Sequence, residues 1–307
     1  MRSSPLRNRL LLVAAAVLFS TGGAAIKAAA LTPWQVASFR SGVAALVLLL
    51  VVPEARKGWS WRVAPVGAAY AATLILFVLA TRLTTAANAI FLQSTAPLYL
   101  LLLGPWLLRE PIRRSDAVYI LAIAAGMCCF ALGTGRATAT SPDPRTGNAC
   151  ALASGLFYAL ALAGLRWLSR GQGVRAGMAA VAAGNLIAFL AALPLALPVA
   201  AWGLAGVVVI AYLGAFQIGL AYWCLTRAMR QVTAFEATTI LLLEPALNPV
   251  WVWLIHGERP GGWPLAGGAV ILSVTLVNAR RQSRRRPPRR VLQQKQGERA
   301  AASPPRI

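Results

Sequence analysis

Long hydrophobic segments recur along the chain, separated by short stretches that contain Pro, Gly or Arg. Each segment has about twenty residues, the length at which an α-helix crosses a hydrocarbon core about 30 Å thick. Because lipid offers no hydrogen bonds, such a segment must satisfy its own backbone polar groups, and Ala/Leu/Val-rich sequences do so as helices. The pattern predicts an all-α membrane protein of ten spans, at residues 10–30, 34–52, 63–81, 86–108, 115–133, 147–168, 176–197, 204–226, 234–256 and 263–279.

Composition supports this prediction and excludes several functions. The chain is 58% hydrophobic and 12% charged, whereas soluble domains carry about 25% charged residues. The net charge of +22 lies at span ends and in the C-terminal tail rather than on one face, so the expected partner is a lipid bilayer and not nucleic acid. The single histidine, His256, lies at a span end and cannot build a histidine-based metal site or catalytic triad, and the missing phosphate-binding loop argues against an ATP-driven pump. No enzyme activity, metal or cofactor is expected.

Basic residues also predict the orientation of the chain. Outside the tail, 14 Lys and Arg fall on one side of the ten spans and four on the other. Cytoplasmic loops carry such an excess, so both termini are predicted in the cytoplasm, with the spans in the cell inner membrane. The basic start before the first span is similar to a signal peptide, but the apolar run is long enough to span, and we expect it to be retained.

An internal repeat emerges when the chain is shifted by 148 residues. Each repeat has five spans, an odd number, so the second copy enters the membrane from the opposite side. Inverted repeats around a midplane site are typical of secondary transporters. The predicted organisation is an N-terminus (1–9), a first repeat (10–136), a linker (137–146), a second repeat (147–280) and a disordered basic tail (281–307). The matched pairs are Ala80/Ala228, Arg82/Arg230, Thr85/Thr233, Ala86/Ala234, Ala89/Ala237, Pro97/Pro245 and Glu110/Glu258.

Several short motifs carry a resemblance to a known family. They are Phe39-Arg40, Ala228, Glu244-Pro245 and Gly257-Glu258-Arg259, with weaker first-half copies at Ala96-Pro97 and Arg109-Glu110-Pro111. With these motifs the chain resembles the drug/metabolite transporter superfamily, specifically EamA-type transporters with two EamA domains. The resemblance covers about residues 10–280 and implies ten helices and transport of small metabolites or amino acids, usually outward.

The chain departs from the family pattern at two places. Ala96 stands where the second half has Glu244, so the acidic residue is present in one half only. In the first span the sequence Ser20-Thr21-Gly22 stands where many members have a Trp-Gly pair.

Ionisable residues inside predicted spans are the first candidates for a substrate or coupling site, because each costs about 2.5–3.5 kcal/mol to insert. Glu244, near the middle of the ninth span, is expected to bind a proton or a substrate cation, or else to form a structural pair with an arginine. Arg40 is expected to hold a substrate carboxylate or to lock the bundle through Glu244. Lys27 lies near a span end, where its stem can reach the headgroups; substrate contact is the alternative.

Neutral polar residues extend this candidate site. Asn248 follows Glu244 by one helical turn and shares its face. Gln93 and Gln217 lie in the middle of the fourth and eighth spans. The alternative role for all three is hydrogen bonding between helices.

A further group of residues is interpreted as gate or helix-packing positions. Asn88 and Glu236 form a pair under the repeat and lie nearer span ends, where they can cap helices or gate a cavity. Pro97 and Pro245 each remove a backbone donor and loosen their helix.

The sequence therefore predicts a secondary transporter that exports a small metabolite, such as an amino acid, by alternating access, with proton exchange at Glu244 as its expected drive. One alternative is a multidrug or lipophilic-cargo transporter of the same fold, and another is a non-transporting sensor or assembly partner. The transporter is expected to act as a monomer or homodimer.

Overall fold

The computed structural model describes residues 5–107, 114–132, 137–199, 203–228 and 240–285. The regular structure in these ranges is helical, with short connections between the helices and one isolated bridge between Thr138 and Ser141. Within them, six segments are long and apolar enough to cross a membrane. These are Leu6–Ala28, Pro33–Val51, Val63–Leu83, Pro144–Leu168, Arg175–Ala196 and Leu204–Ala228. They confirm the first, second, third, sixth, seventh and eighth predicted spans as helices of spanning length.

The helices described at the other four predicted positions are not among these six segments, so the count of ten crossings stays a prediction. The α-helices are α1 (Pro5–Ser20), α2 (Gly22–Ala28), α3 (Pro33–Val51), α4 (Val63–Leu83), α5 (Ala86–Gln93), α6 (Ala96–Leu107), α7 (Arg114–Leu132), α8 (Pro144–Ala196), α9 (Leu204–Ala211), α10 (Ala221–Ala228), α11 (Leu243–His256) and α12 (Gly262–Arg285). A π-helical stretch, Tyr212–Leu220, joins α9 to α10. Helix α12 continues to Arg285, beyond the predicted start of the tail.

Two helix breaks follow the sequence repeat. Between α5 and α6 the chain turns at Ser94 and Thr95, and before α11 it turns at Leu242. Each break lies just ahead of a repeat-paired proline, Pro97 or Pro245, which lacks the N–H that would bind the carbonyl four residues earlier. The freed carbonyl of Gln93 packs against α8, since a Cβ built on Gly155 would lie 3.1 Å from it. The proline pair thus explains why the fourth and ninth predicted spans are both interrupted.

Helix α8 contains two predicted spans that fold back on each other. A Cβ built on Gly164 would lie 2.6 Å from Val66, and one built on Gly184 would lie 2.8 Å from the carbonyl oxygen of Gly67. Twenty residues of straight helix measure about 30 Å, yet Gly164 and Gly184 reach neighbouring residues of α4. The chain therefore reverses within α8, and both of its arms pack on α4.

The core lies between these helices, and the periphery is apolar. One buried cluster joins α3, α4 and the second arm of α8 through residues such as Leu48, Ala71 and Val181. At the periphery, large side chains such as Leu204 and Leu254 are 81% and 65% exposed. A rim of exposed Leu and Val side chains fits immersion in lipid.

The linker between the halves is hydrogen-bonded to the first half, and its last residue caps the first helix of the second half. The Asp143 N–H donates to the carbonyl of Leu83, and the Asp143 side chain accepts from the Thr146 N–H at 3.1 Å. Hydrogen bonds from the side chain and backbone of Thr146 hold the pKa of the Asp143 carboxyl below its ordinary value. Asp143 is therefore the N-cap of α8.

Candidate functional site

The first span is broken where two side chains of the second half pack against it. Between α1 and α2 the chain turns at Thr21 and continues through two glycines. A Cβ built on Gly22 would lie 2.8 Å from Nε2 of Gln217, and one built on Gly23 would lie 2.3 Å from Oδ1 of Asn248. Only a residue without a side chain permits this approach, so the two predicted polar residues lie directly against the backbone of the first span.

Hydroxyl groups at the same break bind aromatic residues of the second half. The indole N–H of Trp251 donates to Oγ of Ser20 at 2.9 Å, and the Thr21 and Tyr212 hydroxyls share a hydrogen bond of 2.8 Å. The sequence Ser20-Thr21-Gly22, noted above as a departure from the family pattern, is therefore a point of contact between the halves.

Buried polar atoms at this contact have no protein partner within the described ranges. Asn248 is 1% exposed and Gln217 is 7% exposed. Neither the oxygen nor the nitrogen of the Asn248 amide is hydrogen-bonded there, and neither is Oε1 of Gln217. An unsatisfied buried group costs about 1–3 kcal/mol, so these amide atoms are a costly feature of the contact between the halves.

Glu244 lies one turn before Asn248 and interacts electrostatically with tyrosines of three other helices. Its carboxylate is within electrostatic range of the phenol groups of Tyr70, Tyr158 and Tyr222. The Tyr70 hydroxyl donates to the Tyr222 hydroxyl at 2.7 Å, and Phe19 packs edge-to-face on Tyr222 with ring centroids 5.3 Å apart. We call Phe19, Tyr70, Tyr158 and Tyr222 the aromatic cluster.

Arg40 is not the partner of Glu244. It is 2% exposed, and its Nη2 donates to the carbonyl of Leu74 at 3.1 Å. Among the described residues it forms no ion pair, and its Nε has no partner. The π-helical stretch packs beside it, since a Cβ built on Gly214 would lie 2.8 Å from the Arg40 carbonyl. The sequence-based expectation of an Arg40–Glu244 lock is therefore wrong for this structure.

Gln93 joins three helices next to the aromatic cluster. Its Nε2 donates to Oγ of Ser154 at 2.7 Å, and the Ser154 hydroxyl donates to the carbonyl of Thr73 at 3.0 Å. Thr73 and Ser154 each lie about one turn from a tyrosine of the cluster. Gln93 therefore holds two walls of the site in position.

Lys27 forms a buried ion pair at one face of the molecule. Its Nζ lies 2.9 Å from Oε2 of Glu258, and both side chains are 6% exposed. The ammonium also donates to the carbonyls of Thr84, at 3.1 Å, and Thr140, while Oε1 of Glu258 accepts from the Ala86 N–H at 2.7 Å. Lys27 does not extend towards the headgroups as expected. We call Lys27 and Glu258 the ionic seal.

Neighbouring residues strengthen this closed face. Arg82 donates to the carbonyls at the end of α2, including those of Ala29 and Leu31, both at 3.0 Å. Asn88 donates to Oδ1 of Asn148 at 3.1 Å. Of the repeat pair predicted as caps or gate residues, Asn88 is thus part of a hydrogen-bonded closure, and Glu236 lies outside the described residues.

The structure brings together most of the predicted site and adds residues that the sequence analysis missed. Asn248 and Gln217 meet at the first span, Glu244 lies beside them, and Lys27 belongs to the ionic seal instead. The missed residues are those of the aromatic cluster. Their signal was a tyrosine in the interior of three separate spans, since tyrosine in a membrane protein ordinarily lies at the interface.

A substitution of Gly23 tests the contact between the halves. We expect Gly23→Ala to lower the free energy of unfolding by about 1–3 kcal/mol, the usual cost of overpacking, because its methyl group collides with Asn248. Adding Asn248→Ala removes the colliding atoms and should restore most of the loss. Thermal unfolding of detergent-purified protein measures both.

The matched control is Gly177→Ala, whose Cβ would meet only Leu165, at 3.8 Å. It should unfold like the wild type. Additive losses in the Gly23→Ala/Asn248→Ala double variant would contradict the contact, because residues that touch are expected to be coupled.

Comparisons with known proteins agree with this architecture. A model of the EamA-like transporter family matches the chain twice, over residues 8–132 and 145–280. One crystal structure aligns with a TM-score of 0.57 and 19% sequence identity, covering 90% of this chain and 98% of the other; the likeness concerns the fold alone. A search of curated proteins finds no match. Because the two family matches cover most of the chain and confirm the resemblance seen in its motifs, this protein belongs to the EamA-like transporter family of small-molecule membrane transporters.

Proposed function

We propose that the protein is a secondary active exporter of a small metabolite in the cell inner membrane, with Glu244 at the centre of its substrate and coupling site. The observation that carries this proposal is the carboxylate itself. Glu244 is half-buried and has no hydrogen-bond or ion-pair partner among the described residues. An ionisable group inside a membrane is costly and is retained where it serves transport.

The surroundings of Glu244 supply the other parts of a binding site. The unpaired amide atoms of Asn248 and Gln217 offer donors and acceptors for a polar ligand. They lie on helices of the second half and pack against the first span. A site built where two inverted halves meet can be exposed to each face in turn by rocking of the halves.

The ionic seal supports an alternating-access mechanism. With the orientation predicted from the basic residues, Lys27 and Glu258 lie at the outer face, where they join α2 to the end of α11. The described conformation is then closed to the outside. Export requires this pair to separate, and re-forming it returns the site towards the cytoplasm.

Proton coupling is expected if the proton and the substrate compete for the carboxylate of Glu244. A buried carboxylate needs a compensating positive charge, which either a proton or a substrate can provide. Competition between them couples the inward movement of a proton to the outward movement of substrate. In this arrangement Arg40 is a structural residue that joins α3 to α4.

Purified protein in liposomes tests the function. An imposed pH gradient should drive a compound from a panel of amines, amino acids and small metabolites against its concentration gradient. Liposomes without protein, and liposomes treated with a protonophore, are the controls. If no compound in the panel moves under a pH gradient or down its own concentration gradient, the proposed transport function is contradicted. The sensor or assembly-partner alternative is then favoured.

A further inference from the structure

An apolar groove lies at the periphery of the molecule, with one wall from each half of the chain. One wall is the segment around the start of α4, and the other is the second arm of α8. The side chains that form them are Trp59, Val63 and Ala64 on one side and Ala183, Leu186 and Ile187 on the other. We propose that this groove binds one anionic phospholipid, with an acyl chain between the two walls and the phosphate at Lys57 and Arg175.

The first argument is that the groove is open to lipid and already formed. Its volume is about 140 Å³, close to the size, about 150 Å³, of an apolar cavity that admits benzene. Trp59 and Leu186, one on each wall, are both exposed. The indole N–H of Trp59 donates to the carbonyl of Ala55 at 2.9 Å, which fixes the ring in place. A chain that enters such a groove therefore pays little to order its walls.

The second argument is the pair of cations at one end of the groove. Gly58 has a φ of +86°, and a Cβ built on it would lie 2.9 Å from the backbone nitrogen of Ala176. Since Lys57 precedes Gly58 and Arg175 precedes Ala176, the backbones of these two cationic residues lie side by side. Both side chains are exposed, and neither forms an ion pair within the described ranges. Like charges held close together repel each other, and a bound anion removes that repulsion.

The third argument is the polarity along the groove. Ile187 follows Arg175 on the same arm of α8, and at 1.5 Å per residue it lies about 18 Å deeper. The groove thus runs from a basic end, at the end of a predicted span, into the apolar part of the molecule. A phospholipid has the same order of groups, with a phosphate at the surface and chains in the hydrocarbon. Basic pockets between membrane helices are known to bind anionic headgroups in this way.

The local charge balance favours an anionic lipid over a zwitterionic one. The two connections at this end of the groove, residues 52–62 and 166–175, carry six basic residues and one acidic residue. The basic residues are Arg56, Lys57, Arg62, Arg166, Arg170 and Arg175, and the acidic one is Glu54. This excess attracts a net negative headgroup, whereas it repels the ammonium of a choline headgroup.

Phosphatidylglycerol and phosphatidylcholine with the same oleoyl chains separate the effect of the headgroup from that of the chain. Native mass spectrometry of the detergent-purified full chain measures how much protein carries each lipid at equal concentrations. We expect phosphatidylglycerol to bind about 30-fold more tightly, since each of two Lys or Arg residues near an anionic headgroup contributes about fivefold. Excess glycerol 3-phosphate, which has the phosphate without chains, should not displace the lipid.

Neutral substitutions of the two cations test the phosphate position. Lys57→Gln and Arg175→Gln should each weaken phosphatidylglycerol binding by about fivefold. The combined variant should bind the two lipids equally, with phosphatidylcholine binding unchanged. Arg145→Gln is the matched control, because Arg145 is an exposed arginine at the opposite end of the first arm of α8. It should keep the wild-type preference.

A substitution inside the groove tests the chain position. Ala64→Trp places a large ring between the walls and should weaken binding of both lipids by at least about tenfold, since losing the burial of two methylene groups already has that effect. Ala124→Trp, at an exposed alanine of α7 away from the groove, is the control and should bind both lipids normally. Leu186→Asn replaces Ala64→Trp if that protein does not fold.

Four results would overturn the proposal. They are equal binding of the two lipids by the wild type, an undiminished preference in the combined Lys57→Gln/Arg175→Gln variant, displacement of the lipid by glycerol 3-phosphate, and normal lipid binding by a folded groove variant. Lipid binding in detergent does not require transport. The site therefore stands if the liposome panel contradicts the proposed transport function, and loss of the site leaves that function intact.

Discussion

Glu244→Gln should reduce pH-driven transport by at least about 30-fold while leaving the protein folded. Removing one member of a buried charge pair costs about 2–5 kcal/mol, and each 1.4 kcal/mol is a factor of ten. The amide keeps the size of the side chain but binds neither a proton nor a cation strongly. Initial rates in liposomes, for the compound that the wild type transports, measure the loss.

The matched control is Glu54→Gln, the same exchange in a short 3-10 turn outside the spans. It should transport at the wild-type rate. Thermal unfolding of the Glu244→Gln protein should match or exceed that of the wild type, because the substitution removes a half-buried charge that has no partner in the described part of the chain. If transport by Glu244→Gln still responds to the pH gradient as in the wild type, Glu244 is not the coupling residue.

Substitutions in the ionic seal should produce the second large effect, a loss of folding stability. Lys27→Met or Glu258→Gln alone should lower the free energy of unfolding by about 3–5 kcal/mol, since each leaves an uncompensated buried charge. Combining Lys27→Met with Glu258→Met should recover most of that loss, because a buried ion pair replaced by apolar residues of similar volume is often neutral in stability. Thermal unfolding in detergent compares the variants.

Cysteine labelling distinguishes a pair that closes one face of the transporter from a purely structural pair. The combined variant should fold well yet expose a cysteine placed in the first span to membrane-impermeant reagents added on the side of the ionic seal, since the ion pair that joins α2 to the end of α11 is then lost. Lys57→Met, in an exposed loop, is the control and should change neither property. Equal cysteine labelling of the combined variant and the wild type would argue that the pair serves stability alone.

Much of the fold could be predicted because its signals are local. A run of about twenty apolar residues reports a spanning helix regardless of what it packs against. The breaks at Ser94 and Leu242 follow from Pro97 and Pro245, since the missing N–H acts within one turn. The reversal inside α8 was also predicted, as two spans joined by a basic connection.

The partners of charged residues could not be predicted, because they depend on which helices meet. Glu258 was recognised as a repeat match to Glu110 and as part of the Gly257-Glu258-Arg259 motif, and Lys27 was interpreted as reaching the headgroups. Nothing near either residue in sequence indicates that they meet. For Arg40 and Glu244 the error was the reverse, because their opposite charges suggested an ion pair. In the structure α3 packs on α4, and Arg40 donates to the carbonyl of Leu74 instead.

The aromatic cluster was missed for a related reason. Single tyrosines in apolar helices are ordinarily interpreted as packing residues, and their importance depends on which other helices bring further aromatic rings beside them. The glycines against Asn248 and Gln217 were likewise visible only as small residues. In both cases the role of a residue depends on its neighbours from other helices, and the sequence around that residue does not identify them.

The ionic seal also has a consequence for how the transporter responds to temperature. Opening the face that Lys27 and Glu258 close exchanges a buried ion pair for two hydrated ions. Because the hydration of charged groups carries a strongly negative entropy, that hydration becomes less favourable as temperature rises. Warming should therefore shift the conformational equilibrium towards the state in which Lys27 and Glu258 are paired, and cooling should favour the state in which they are separated.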